Sequence, residues 1–242
     1  MQGKNKEVVL CVKCNRFEGE VNVSGKLLCV QCARDEIVKR VRRELSSTGF
    51  LEKNDRVLIA YPTFYGNVAA LIKDIVSRIC KGCNLTIDEV KVEPKGDINE
   101  TLWTLFKEVF DLNYKKVILP LTADFFLSYL IYSISSLNHG FLSYYDLVTE
   151  FRGVKFFIPL FSTPLQELKG FSEITGELNT KDEVLDEILK WSHKEFQDNE
   201  IFHTFVNSLT IFSGKRCKIC GAYVRPNEEY CQYCLRLSSQ KR

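Results

Sequence analysis

Ten cysteines fall in five pairs, and every pair is spaced Cys-x-x-Cys: Cys11/Cys14, Cys29/Cys32, Cys80/Cys83, Cys217/Cys220 and Cys231/Cys234. Two residues between thiolates make a tight knuckle whose backbone N–H groups point at the sulfurs. Two knuckles supply the four-sulfur tetrahedral set that Zn²⁺ prefers. Cys11/Cys14 therefore pairs with Cys29/Cys32 across 14 residues, and Cys217/Cys220 with Cys231/Cys234 across 10. Each gap suits a short β-hairpin, and the first contains the alternation Glu20 to Leu28 around a Ser24-Gly25 turn. In the second, Tyr223 to Asn227 supplies the turn residues. Two structural zinc ions are expected. Modules this small fold only with metal, because apparent Zn²⁺ binding energies of roughly 10 to 16 kcal/mol exceed what their cores supply.

Cys80/Cys83 has no second pair nearby. It follows an amphipathic helix, and Gly82 and Asn84 mark the helix end. Plain helix-end cysteines, a disulfide, and a redox or metal-linked role all remain open for it.

At 242 residues the chain can hold one α/β core with small appended modules. The N-terminal residues Met1 to Glu7 are polar, and the most apolar run, Phe125 to Leu137, is shorter than the ~20 residues of a membrane span. The expectation is a cytoplasmic protein with no membrane contact, in which disulfides within the two four-cysteine groups are disfavoured. The net charge of +2 conceals an uneven distribution: residues 1–50 carry +4, residues 214–242 carry +5, and the middle carries −7. Basic ends can serve phosphate contact, or can neutralise a four-thiolate zinc site that formally carries −2. The candidate nucleic-acid contacts are Arg40, Arg42 and Arg43 on the first helix, with Lys215, Arg216 and Arg225 at the C-terminal end.

Between the modules the pattern alternates. A helix over Ala33–Ser47 ends at Gly49. The run Arg56–Tyr61 reads as a strand buried on both faces, followed by a helix from Val68 to Ile79. Three further units follow: strand Leu85–Val92 with helix Ile98–Phe110, capped by Asp97; strand Lys116–Leu121 with helix Asp124–Leu137; and strand Val154–Ile158 with helix Pro164–Ile174. Helices near Lys181–Phe196 and Glu200–Phe212 lead into the last module. Alternating elements imply an α/β fold with a doubly wound parallel sheet. The divisions are residues 1–49, an N-terminal zinc module with a basic helix; 50–213, the α/β domain; and 214–242, a zinc ribbon. Such sheets bind ligands at the first βα turn. Here that turn is Pro62, Thr63, Phe64, Tyr65, Gly66 and Asn67, with two aromatic rings, a proline lacking an N–H, and no lysine.

The arrangement resembles the PP-loop tRNA thiolases. The resemblance runs through Cys11-Val12-Lys13-Cys14, Leu28-Cys29-Val30-Gln31-Cys32, the strand Asp55 to Ala60, and the ribbon Cys217-Lys218-Ile219-Cys220-Gly221 with Tyr230 to Cys234. It implies a sheet of the PP-loop, adenine-nucleotide-hydrolase type. Active members carry Ser-Gly-Gly-x-Asp-Ser to hold pyrophosphate, where this chain has Pro62 to Asn67. They carry Thr-Gly-His-Asn after a later strand, where this chain has Leu121-Thr122-Ala123-Asp124, and cysteines in the second half, where this chain has none between Cys83 and Cys217. The looser match over Leu119 to Asp124, Asn138 to Phe141, Phe157 to Leu160 and Glu167-Leu168 is similar to the non-catalytic subunit of the cytosolic wobble-uridine 2-thiolation complex. The resemblance implies a pseudo-enzyme without ATP or an iron–sulfur cluster. Its partners would be a catalytic PP-loop paralogue in a heterodimer, tRNA, and, through the complex, a ubiquitin-like sulfur carrier. A stand-alone zinc-ribbon nucleic-acid adaptor and an enzyme using Cys80 and Cys83 are the other readings.

Overall fold

The computed structural model describes residues 9–79, 82–136, 140–196, 201–202, 204–205 and 214–240. The chain begins with a two-stranded hairpin, β1 (Val21–Val23) and β2 (Lys26–Leu28), closed by a two-residue turn. Ser24 and Gly25 both have positive φ, at 49° and 74°. That geometry matches the right-handed twist of the strands, and glycine adopts it without a Cβ clash. The expected Ser-Gly turn is thus present.

Helix α1 (Val30–Thr48) buries Ile37, Val41 and Leu45 on one stripe and stops where Gly49 turns left-handed, at φ 57°. Strand β3 (Arg56–Pro62) is buried at six of its seven positions, as its unbroken apolar run requires. A single 3₁₀ turn over Thr63–Tyr65 leads into α2 (Gly66–Ile79). Then come β4 (Thr86–Val92), α3 (Ile98–Asp111), β5 (Lys116–Ile118) and α4 (Ala123–Ser136). Asp97 caps α3 by accepting the Asn99 N–H at 2.8 Å. Asp182 caps α5 (Glu183–Glu195) through the Leu185 N–H and also accepts from the Ile98 N–H at 3.0 Å, which ties the starts of two helices together.

The sheet departs from the expected all-parallel form at one edge. A hairpin of β6 (Val148–Phe151) and β7 (Val154–Phe157) gives the five-stranded order β4-β3-β5-β7-β6, with β6 antiparallel. The turn is Arg152-Gly153, again with two positive φ values. The helix expected over Pro164–Ile174 is instead a short 3₁₀ segment, Leu165–Gly170. It packs against α1: a Cβ at Gly170 would stand 3.4 Å from the Val30 carbonyl oxygen, and Arg34 of α1 donates to the Gly170 carbonyl. The helix expected over Glu200–Phe212 lies largely outside the described residues, where Ile201, Phe202, Thr204 and Phe205 are helical.

The C-terminal ribbon pairs β8 (Lys215–Arg216) with β9 (Tyr223–Val224) and ends in α6 (Gln232–Gln240). Its hairpin therefore wraps the Cys217–Cys220 knuckle, whereas the spacing suggested a hairpin between the two knuckles. The ribbon is fastened to the core. Ser143 Oγ donates to the Gly221 carbonyl at 2.9 Å, Arg152 to the Ile219 carbonyl at 2.8 Å, and the Tyr144 hydroxyl to the Cys220 carbonyl. Among the described residues no helix is long and apolar enough to cross a membrane.

Candidate functional site

Each end of the chain gathers four thiols. Cys11, Cys14, Cys29 and Cys32 form one group and Cys217, Cys220, Cys231 and Cys234 the other, with the sulfurs of each group all within 4.8 Å of one another. Cys14 and Cys29 stand 3.8 Å apart, and Cys220 and Cys231 3.6 Å. Four thiolates at ~2.3 Å from one Zn²⁺ are separated by ~3.8 Å, so both groups are sized for a single ion. A four-iron cluster puts each thiolate on a different iron and needs a wider cage.

The knuckles are built to stabilise charge on sulfur. Burial pushes the Cys11 thiol up, but the backbone N–H groups of Cys29, Cys14 and Lys13 overcome it and hold the group at about 6. The Cys231 N–H lies 3.4 Å from Cys217 Sγ. Cys217 is held far below the usual thiol range, chiefly by its Cys220 neighbour, while Cys220 is pushed up by the same contact. Packed sulfurs cannot all ionise without a cation, and a divalent ion removes that conflict. Cys83 is disulfide-bonded, and Cys80 lies outside the described residues.

The second candidate region is the ligand crevice of the α/β sheet. Taking β3 as the first core strand, β4 lies on one side and β5 on the other, so the topological switch falls between β3 and β5. The loops after these strands are Pro62–Asn67 and Leu119–Ala123. They meet: the hydroxyls of Tyr65 and Thr122 share a 2.7 Å hydrogen bond, and the Thr122 N–H donates to the Tyr65 oxygen at 3.3 Å. Tyr65 is 0% exposed and its ring packs edge-on against Phe125, while Phe64 packs against both. Burial and then the Asp124 carboxylate push the Tyr65 hydroxyl well above its usual range, so it stays protonated. Gly66 sits in ordinary helical geometry, φ −53°, as the first residue of α2. Thr63 donates to Glu93 and Asn67 to the Glu173 carbonyl. Asp124 is fully buried, accepting the Leu165 N–H at 3.0 Å and pairing with His193 Nε2 at 2.5 Å. The sequence reading missed this pair, since the partners are 69 residues apart.

The six candidate contact residues separate into two kinds. Arg42, Arg43, Lys215 and Arg225 are exposed. Arg40 is not: it is 8% exposed and bonded at 2.6 Å to Glu167, itself 0% exposed, and to Thr163 Oγ1. Its second nitrogen donates to Ser24 Oγ at 2.7 Å, and Glu167 also accepts the Ser24 N–H. Arg40 is thus a clamp between the first zinc hairpin and the 3₁₀ segment, which corrects its assignment as a phosphate contact. Arg216 is half-buried, with its guanidinium over the Tyr144, Phe151 and Tyr223 rings, and donates to the Ser143 carbonyl at 2.7 Å. It too serves the chain itself. Arg34 and Arg78 line a groove of about 750 Å³ between α1 and α2 with Lys39, Arg42, Asp35 and Asp74, but Arg78 pairs with Asp74 at 2.8 Å and Arg34 donates to the Gly170 carbonyl. Arg78 belongs to a helix whose own sequence shows no basic run.

No protein-family model matches the chain, and no curated protein matches it by sequence. Among solved structures, the U34-tRNA thiolase NcsA from Methanococcus maripaludis, determined with its [4Fe-4S] cluster, superposes with a TM-score of 0.63 over 97% of each chain at 13% identity. The described residues therefore have a tRNA-thiolase-like PP-loop fold. The expected lack of an iron–sulfur cluster finds no support in that neighbour, which carries one; the cysteines left in this chain outside its two four-sulfur groups are Cys80 and Cys83.

Proposed function

We propose that this chain is the non-catalytic partner subunit of a catalytic PP-loop thiolase in wobble-uridine 2-thiolation, where it supplies scaffold and tRNA-binding surface. The observation that carries the reading is the closed switch point. A full-length thiolase-like fold has its nucleotide crevice bridged by the Tyr65–Thr122 hydrogen bond and filled by aromatic rings. A loop that holds pyrophosphate needs convergent backbone N–H groups and a nearby cation. Pro62 contributes no N–H, and the polar side chains of Thr63 and Asn67 are turned to other partners. In this reading the chain needs no ATP, its metal is structural zinc in both groups, and Cys80 and Cys83 do no chemistry.

Two surfaces supply the remaining roles. Arg42 and Arg43 at one end and Lys215 and Arg225 at the other are exposed and suited to phosphate. The α4–α5 face exposes Ile134, Val184 and Trp191, with Ile131 and Ile188 beside them. An apolar surface of that kind is what a subunit contact covers. The catalytic paralogue in the cytoplasm is its occupant in this proposal, and a ubiquitin-like sulfur carrier reaches the chain through that complex. Co-expression with a catalytic paralogue tests the reading: a stable heterodimer on size exclusion, lost in Trp191→Glu, is expected. Separate elution of the two wild-type chains at micromolar concentration would favour the stand-alone zinc-ribbon adaptor instead.

A further inference from the structure

The ribbon does not lie flat on the core. Between β8–β9, the start of α6 and the Phe141 corner is a cleft of about 630 Å³, lined among others by Lys215, Tyr223, Arg225, Tyr230, Tyr233 and Phe141. That volume is within the roughly 300–1,000 Å³ of small-ligand sites. Aromatic rings and the cations Lys215 and Arg225 share its wall with the Glu228 carboxylate.

The rings are held in place. The Tyr233 hydroxyl donates to Asp97 at 3.0 Å and its ring stacks on Trp103 with centroids 6.0 Å apart. Tyr223 lies under the Arg216 guanidinium and beside Gly214, where a Cβ would come within 3.2 Å of the ring. Phe141 stacks on Phe106 in the core at 5.5 Å. Lys215 pairs with Val224, the last residue of β9 and the chain neighbour of Arg225, and both cations line the opening. Fixed rings stack on bases without regard to sequence, and cations at the rim meet the backbone that carries those bases.

We infer that this cleft receives an unpaired nucleotide of a bound strand, with the base against the half-buried Tyr230 ring and the phosphates at Lys215 and Arg225. That the strand is RNA rests on the function proposed above; that the nucleotide is unpaired rests on the cleft alone. A paired base presents only its edge, and stacking on Tyr230 demands a free face.

Fluorescence anisotropy on the full, zinc-loaded chain decides it, with an oligo(U) dodecamer, the same length of RNA duplex, and an oligo(dT) dodecamer as probes. Tyr230→Leu should weaken oligo(U) binding about tenfold, the usual effect of losing one stacked base. Tyr230→Phe, which keeps the ring, should bind as wild type and shows that the fold is intact. The Lys215→Gln/Arg225→Gln variant should lower the slope of log affinity against log salt by about 0.7 for each phosphate that is no longer neutralised, whereas Tyr230→Leu should leave the slope unchanged. Unchanged oligo(U) affinity in Tyr230→Leu overturns the inference, as does duplex binding equal to that of oligo(U). Equal binding of oligo(dT) counts against the tRNA reading and leaves the cleft standing. Loss of heterodimer formation, in turn, has no bearing on these titrations.

Discussion

Replacing Arg40 by methionine separates a structural arginine from an RNA-binding one. Arg40 is 8% exposed and pairs at 2.6 Å with Glu167, which is 0% exposed. Methionine keeps the stem and removes the charge, so Glu167 keeps the Ser24 N–H but loses its counter-ion. Breaking one side of a buried pair costs about 3–5 kcal/mol, since an uncompensated carboxylate stays in low dielectric. For a chain of this size each kcal/mol moves the melting temperature by about 2–4 °C, so the midpoint should fall by about 6–20 °C. Arg40→Met/Glu167→Met removes both charges and should recover most of the loss, the mark of a direct pair. Urea and thermal denaturation of zinc-loaded protein provide the numbers, and tRNA titration at a temperature where the variant is folded provides the control. A stability loss below about 1 kcal/mol, or a fall in tRNA affinity with stability unchanged, would refute the assignment of Arg40 as a clamp.

The other expectations concern charge, metal and nucleotide. Glu44 is 8% exposed, its Oε2 has no hydrogen-bond partner, and burial raises its carboxyl from 4.5 to about 7. Because the folded value lies above the unfolded one, this group's contribution is fully present below pH 4.5 and is lost as pH rises to about 7. Glu44→Gln should therefore stabilise the chain by up to about 3 kcal/mol at pH 8 and by nothing at pH 4, and an equal effect at both would sink the reasoning. Elemental analysis of folded protein should find two zinc ions per chain, with strong chelators unfolding both ends; much less than two in a cooperatively folded sample would count against both four-sulfur sites. Calorimetry with ATP and Mg²⁺ should register no heat of binding, and micromolar affinity would mean that the Tyr65 bridge opens.

The sequence made the local features legible. Cys-x-x-Cys spacing located both four-sulfur groups, the Ser24-Gly25 turn set the first hairpin, and Asp97 and Gly49 marked helix ends where the caps form. Strand β3 was readable because a strand buried on both faces leaves an unbroken apolar run. What stayed hidden was nonlocal. Arg40 looks like its neighbours Arg42 and Arg43 until Glu167, 127 residues away, is brought against it. Asp124 and His193 are concealed for the same reason. Strand β6 did carry a signal, the Arg152-Gly153 turn between apolar residues, but the alternating pattern around it directed attention to parallel strands. The ribbon's docking depends on carbonyl contacts such as Arg152 to Ile219, which leave no trace in composition.

At the centre stands the proposal that this chain keeps a thiolase-like fold without the chemistry. Formation of 2-thiouridine in tRNA, followed by mass spectrometry with ATP and a sulfur donor, tests it most directly. The account predicts no product from this chain alone, product from its complex with a catalytic paralogue, and a marked loss when this chain is withdrawn from that complex. Turnover by this chain in the absence of any other thiolase would contradict it.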